Sequence, residues 1–298
     1  MDEIAFYIRK FMGKVLSFPR PNLKQLFYVG NNNHKTTIMQ FICRKFTLLI
    51  FFALSSTWSL VAQGEVDINL DELSQNFLQN IKNEASTNEI RAKLYNLTLE
   101  DLKKGLKTDE QKLAFWVNIY NAYIQVILSE NPKLYDDKRA FFKKEQIPIA
   151  GRMVSFEKIE HGIIRKSQWP LGLGLIRKWF PNKFERKLRV DKRDYRIHFA
   201  LNCGAKDCPP VAIYEADRLN EQFDIGTEQY LKKTSEYNVD NKEVAVTSLF
   251  NWFRGDFGCK KGVKKTLKEQ GIIPTTKGID ITYQNYDWTL DLDNWTEL

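Results

Sequence analysis

The chain is 298 residues long, 43% hydrophobic and 13% aromatic, enough for one large domain or two small ones with a sizeable core. Its formal net charge of +8 sits at the front: residues 1–62 hold 8 Lys+Arg and 2 Asp+Glu, and the remainder holds 37 against 35. The main body is therefore near neutral and gives no case for a nucleic-acid partner, and no low-complexity tract or solenoid repeat interrupts it.

In chain order, Met39 to Lys45 is short and basic, Phe46 to Leu54 is strongly apolar, and Ser59-Leu-Val-Ala62 is an end of mostly small residues. That order reads as a signal peptide over residues 39–62, cleaved near Ala62-Gln63. The fit requires synthesis to start at Met39, which leaves residues 1–38 outside the native protein. The rival is a retained anchor over residues 46–62, a segment at the lower limit of the roughly 17–25 residues that a span needs. The expectation is a periplasmic or secreted protein with no stable membrane span after cleavage. Cys43 precedes the apolar run, the wrong place for a lipid-modified cysteine. The mature chain keeps Cys203, Cys208 and Cys259; an odd count in an oxidising compartment means one pair plus a free thiol, or no pair.

Residues 63–94 form an N-terminal helical segment, and the spacing of Leu73, Phe77, Leu78, Ile81 and then Leu99, Leu102, Leu106 predicts two or three amphipathic helices over 71–107. Thr108-Asp109-Glu110 starts a new helix. From 109 to 129 this helix is apolar on nearly every face, so it is central and buried. Its exceptions, Asn118, Asn121 and Gln125, share one face. Buried amides must be hydrogen-bonded; they either tie down neighbouring loops or border a polar cleft. Asn131-Pro132 ends the helix. Residues 146–154 read as a hairpin turning at Ala150-Gly151. Ser155 is an N-cap for a helix carrying Glu160 and His161. Residues 169–189 hold a Gly-rich turn and a basic amphipathic piece, read as solvated surface. Ile197 to Leu201 reads as a short buried strand. A helix follows over 215–235, then a strand at 243–247, an aromatic-rich short helix at 248–257, a Lys-rich helix ended by Gly271, and a strand at 279–283. Helices dominate and the strands do not alternate with them, so the class is α+β: a mostly helical single domain around a small sheet.

The distinctive stretch is Arg196-Ile-His-Phe-Ala-Leu-Asn-Cys-Gly-Ala-Lys-Asp-Cys-Pro-Pro210, with scarce reactive side chains at the end of an apolar run. Together with Phe115-Trp-Val-Asn-Ile-Tyr-Asn-Ala122, Ile159-Glu-His-Gly-Ile-Ile-Arg165, Phe250-Asn-Trp-Phe-Arg-Gly-Asp-Phe257 and Tyr286-Asp-Trp288, it resembles the DUF547 family over about residues 95–290. The resemblance implies a name and little chemistry, because the family is defined as a domain of unknown function. Bacterial members look exported; plant members join the domain to a leucine-zipper region, which implies an interaction role for some.

The residues support three readings. In the first, Cys203 is a nucleophile, His161 its base, and Asn118 or Asn121 the orienter or oxyanion donor, with His198 as the alternative base. On a regular strand His198 and Cys203 face opposite ways, which favours His161. Glu160, adjacent to His161 in a helix, points elsewhere and pairs with an Arg. Gly204 leaves room for a substrate, and its N–H is available to an oxyanion. The layout resembles that of a papain- or transglutaminase-type thiol enzyme, although no nucleophile signature of those families matches, and implies a hydrolase or acyl transferase acting on a peptide or amide bond. In the second reading Cys203 and Cys208 form a disulfide, and the protein is a non-catalytic binding module for a peptide or small-molecule ligand. In the third, His161, His198, Cys203 and Cys208 hold zinc; their spacings depart from the usual zinc patterns, so no metal and no cofactor is expected.

Overall fold

The computed structural model describes residues 68–298. The chain divides into two units, Met1–Glu65 and Val66–Leu298, and the described residues all belong to the second. The expectations for residues 1–38 and for the signal peptide at 39–62 lie outside them.

The unit is built on one helix. Thr108 and Gln111 form a reciprocal capping box, each side chain bonded to the other's backbone N–H, and start the helix Asp109–Glu130, here α4. It is preceded by α1 (Leu70–Lys82), α2 (Asn88–Asn96) and α3 (Leu99–Gly105), as the apolar spacing predicts. Phe115, Trp116, Val117, Ile119, Ala122, Tyr123 and Ile124 are fully buried, so α4 has no solvent face over its middle turns. Phe77 of α1 meets Tyr123 edge-on, with ring centroids 5.1 Å apart.

The short helix α5 (Lys138–Lys143) leads into a two-stranded hairpin, β1 (Ile147–Ile149) and β2 (Arg152–Val154), which turns at Ala150-Gly151 with φ of +50° and +66°. A π-helix over Lys158–Ile164 follows, then α6 (Lys183–Leu188) and α7 (Leu219–Thr234). The second sheet has the order β3–β4–β5, from Glu236–Asn238, Glu243–Val246 and Asp280–Tyr283. Its first pair is antiparallel and its second parallel, with α8 (Leu249–Trp252) and α9 (Cys259–Glu269) in the crossover. Val244, Val246, Phe250, Leu267 and Ile279 bury a second, smaller core on this sheet. The described residues thus have the expected α+β character.

One expected strand is absent. Residues Tyr195–Phe199 form a 3₁₀ turn, and 200–204 run irregularly. Asp194 caps the turn by accepting from the Arg196 N–H at 2.9 Å. Beyond it the backbone bonds to side chains rather than to a neighbouring strand. Asn121 Nδ2 donates to the Ala200 carbonyl at 2.9 Å, and the Asn202 N–H donates to Asn121 Oδ1 at 2.8 Å. Asn202 in turn donates to the Pro209 carbonyl at 2.8 Å and accepts from the Gly204 N–H at 2.9 Å. Asparagine side chains compete with ladders in this way.

Asn118 does the same for another segment. It donates to the Tyr214 carbonyl at 2.8 Å and to Ser74 Oγ at 3.1 Å, and accepts from the Tyr214 N–H at 2.9 Å. Replacing Asn118 with Leu strands both backbone groups of Tyr214 in the core. The expected loss is about 1–3 kcal/mol, read from urea unfolding of the Asn118→Leu variant; an unchanged midpoint contradicts this account.

Candidate functional site

A cavity of about 210 Å³ opens between α4, the π-helix, the 198–209 segment and the aromatic residues around 252 and 286. Its polar lining includes Glu160, His161, His198, Cys203, Tyr120 and Tyr286; Phe253, Trp252 and Trp288 supply aromatic walls. Trp252 stacks on Trp288 at 5.5 Å and lies 5.0 Å from the Tyr286 ring.

The π-helix explains why Glu160 and His161 both reach the cavity. The Arg165 N–H bonds to the Glu160 carbonyl five residues back at 2.8 Å, and Ser167 bonds likewise to Gly162. This wider turn separates successive side chains by less than an α-turn does, and such turns recur at functional sites. The expectation that Glu160 points elsewhere is therefore corrected: its Oε1 lies 3.8 Å from His161 Nδ1 and 4.0 Å from the Arg165 guanidinium. That buried oxygen accepts no hydrogen bond. Burial and the nearby Asp256 raise its pKa to about 7, against a partial opposing pull from Arg165.

The two imidazoles are neutral, and their bonds fix complementary tautomers. Burial and the Arg165 charge hold His161 well below its ordinary range. Its Nδ1 contacts Arg165 Nη1; a guanidinium only donates, so Nδ1 accepts and the ring proton is on Nε2. His198 is pushed down to about 4, first by burial. Its Nε2 lies 2.9 Å from Asp256 Oδ2. Asp256 stays ionised despite its burial, because His198 and Arg165 hold it below the usual carboxylate range. It also accepts from Arg165 Nε at 2.6 Å and from Arg193 at 2.5 Å. His198 therefore donates from Nε2 and keeps Nδ1 as a bare acceptor. Its ring stacks on Phe253 at 3.9 Å, and Arg165 covers Phe253 at 4.6 Å.

The predicted residues are only partly brought together. His161, His198 and Cys203 share the cavity, and without a regular strand the argument that His198 and Cys203 face opposite ways falls. Cys203 is joined to Cys208 in a disulfide, so the nucleophile expectation applies only to a reduced chain. Cys208 Sγ also accepts from the Cys203 and Ala205 N–H groups at 3.0 and 3.3 Å. Asn118 and Asn121 are not in the cavity wall; both are fully buried and spend their amides on loop backbone, so the role of orienter or oxyanion donor is corrected to that of anchor. Gly204 is corrected too. Its N–H is bonded to Asn202. The glycine is favoured by a φ of +83°, and an added Cβ would lie 3.0 Å from Leu128 Cδ1. Among the described residues no group of three or more His, Cys, Asp or Glu is placed to hold a metal ion.

Sequence reasoning missed Asp256, Arg165 and Tyr286 as site residues. Each lies in a quoted motif, but their partners come from distant segments: Asp256 meets His198, and Tyr286 Oη lies 3.9 Å from Cys203 Sγ.

A family model described as "Protein of unknown function, DUF547" matches residues 103–231. Residues 103–231 carry a DUF547 domain. The matched stretch contains α4, the π-helix and the Cys203–Cys208 loop, whereas the wall residues Trp252, Tyr286 and Trp288, and Asp256 behind His198, lie beyond it. Comparison with curated proteins and with solved structures gave no match.

The raised Glu160 carboxyl makes this DUF547 site pH-sensitive. Its folded pKa of about 7 exceeds the ordinary 4.5. Between those values the folded state keeps a proton that the unfolded chain releases, so stability falls as pH rises through the window. The Glu160→Gln variant should therefore gain stability on wild type between about pH 4.5 and pH 7.5, by up to about 3 kcal/mol. Urea unfolding at both pH values checks it, and a pH-independent difference contradicts it.

Proposed function

We propose that the cavity is a binding site for a peptide or another planar amide, in an exported protein whose Cys203–Cys208 disulfide fixes one side of the wall. The observation that carries this reading is the pairing of opposite hydrogen-bonding groups within aromatic walls. His161 holds its proton on Nε2, His198 Nδ1 is a bare acceptor, and Glu160 titrates near neutrality with one oxygen unpartnered. An amide presents one acceptor and one donor in a plane, and it suits flat aromatic walls such as Trp252 and Trp288. The disulfide is consistent with an oxidising compartment, which supports export.

A second reading is favoured by one observation: Cys203 shares the cavity with both imidazoles. In it a dithiol reductant opens the disulfide, and the protein acts as a hydrolase or acyl transferase of the papain or transglutaminase kind. An imidazole takes the Cys203 proton, the thiolate adds to the amide carbonyl, and the carbon–nitrogen bond breaks as the imidazolium returns the proton to the leaving amine. Asp256 then serves as the orienter through its bond to His198.

Both readings meet one experiment. The oxidised protein is titrated with blocked dipeptide amides and followed by tryptophan fluorescence. The reduced protein is incubated with peptidyl p-nitroanilides. The binding reading expects saturable quenching that Trp252→Ala and Glu160→Gln each weaken by about tenfold. Quenching unaffected by either substitution overturns it. The thiol reading expects nitroaniline release only after reduction, lost in Cys203→Ser and kept in Cys259→Ser; release from the oxidised protein, or none after reduction, overturns that one.

A further inference from the structure

The segment between the π-helix and α6 carries an apolar surface that the cavity does not use. Trp169, Leu171, Leu175, Trp179 and Phe180 are 50%, 81%, 60%, 83% and 93% exposed. Large side chains this exposed and this close in sequence mark a docking surface rather than scattered surface residues. The basic residues are solvated as expected, and the apolar side chains stand exposed beside them.

The segment is also held in one shape. Its backbone closes on itself: the Trp169 N–H bonds to Ile176 at 2.9 Å, Gly172 to Trp169 at 2.9 Å, Leu175 to Gly172 at 2.8 Å and Lys178 to Ser167 at 2.7 Å. Its base is pinned to the body. The Gly255 N–H bonds to the Leu173 carbonyl at 2.8 Å, and Arg193 donates to the Gly174 carbonyl at 2.9 Å. A Cβ on Gly255 would lie 2.4 Å from the Gly174 carbonyl carbon, so the approach depends on glycine. The backbone groups already paired lower the cost of bringing this loop into a poorly hydrated layer.

The flanking charge selects the occupant. Residues 177–193 hold eight Lys+Arg and two Asp+Glu, and Arg177, Lys183, Arg186 and Lys187 are exposed. A second copy would bring the same positive charge to the interface. The front of the chain, with 8 Lys+Arg against 2 Asp+Glu in residues 1–62, is like-charged as well. What fits tryptophan and leucine at the tip with lysine and arginine behind is an anionic lipid surface, where aromatic rings settle at headgroup level and basic residues meet phosphate.

We propose that the 167–181 loop docks the protein peripherally on anionic bilayers, with Leu171, Leu175, Trp179 and Phe180 entering the interface and the basic residues of α6 facing the headgroups. Docking of this kind needs no spanning helix, and none of the described helices is long and apolar enough to cross a membrane.

The test is sedimentation of the full-length chain with vesicles of phosphatidylcholine, with and without phosphatidylglycerol. Binding is expected only with phosphatidylglycerol. It should weaken at least about tenfold in the Trp179→Ser/Phe180→Ser pair and about tenfold in the Arg186→Glu/Lys187→Glu pair. All four side chains are exposed, so an unchanged thermal midpoint shows that each variant is folded. No sedimentation with either vesicle overturns the proposal. So does binding that the Trp179/Phe180 pair leaves unchanged, since another segment then carries it. Self-association abolished by the same pair, without vesicle binding, would assign the face to a second copy and overturn it as well.

Discussion

The structure depends on two asparagines placed where water cannot reach. Asn118 and Asn121 lie on the one polar face of α4, each fully buried and each bonded to the backbone of another segment. An unpaired amide in that position costs more than a pair returns. The chain around Ala200, Asn202 and Tyr214 is therefore held to α4 by buried amide bonds. That constraint makes an irregular stretch behave as a rigid one. It positions His198 and Cys203 although neither sits on a strand or a long helix.

A second level of order comes from Asp256. One ionised carboxylate takes His198, Arg165 and Arg193 as donors, which joins the π-helix, the 3₁₀ turn and the exposed loop's base to the crossover segment. A buried charge is tolerable only when its partners are this complete. The arrangement also sets the protonation of the cavity. Burial and the Arg165 charge keep His161 neutral, and burial outweighs the pull of Arg165 on Glu160, whose carboxyl titrates at about 7.

Local signals in the sequence foretold what local physics decides. The capping box at Thr108, the unbroken apolar run of α4 and the Ala150-Gly151 turn each act within a few residues, and each element formed where its residues called for it. The bland reading of the Asn stripe, that its amides fasten loops, is what Asn118 and Asn121 do. The 197–203 run misled because a short apolar stretch reads alike as strand or buried turn, and the tie-breaker was an asparagine 81 residues away in sequence. The π-turn was illegible for a related reason. Its contacts come from distant segments: Glu185 packs where a Cβ on Gly162 would stand, and Arg165 bonds to Asp256. Exposure at 169–180 was legible in the basic residues of the piece, but not that Trp179 and Phe180 would stand out with them.

The cavity wall also has an order in time. Residues beyond 284 fasten to the disulfide loop from outside: Lys206 bonds to the Thr289 carbonyl at 2.8 Å, and the Asp291 N–H to the Gly204 carbonyl at 2.9 Å. Tyr286 and Trp288 of the same stretch line the cavity. During synthesis these residues emerge after every other part of the wall. Cys203 and Cys208 are thus free of their outer clamp while the rest of the unit collapses, so thiol oxidation can precede closure. A chain clipped after β5 lacks Tyr286 and Trp288 from the cavity wall.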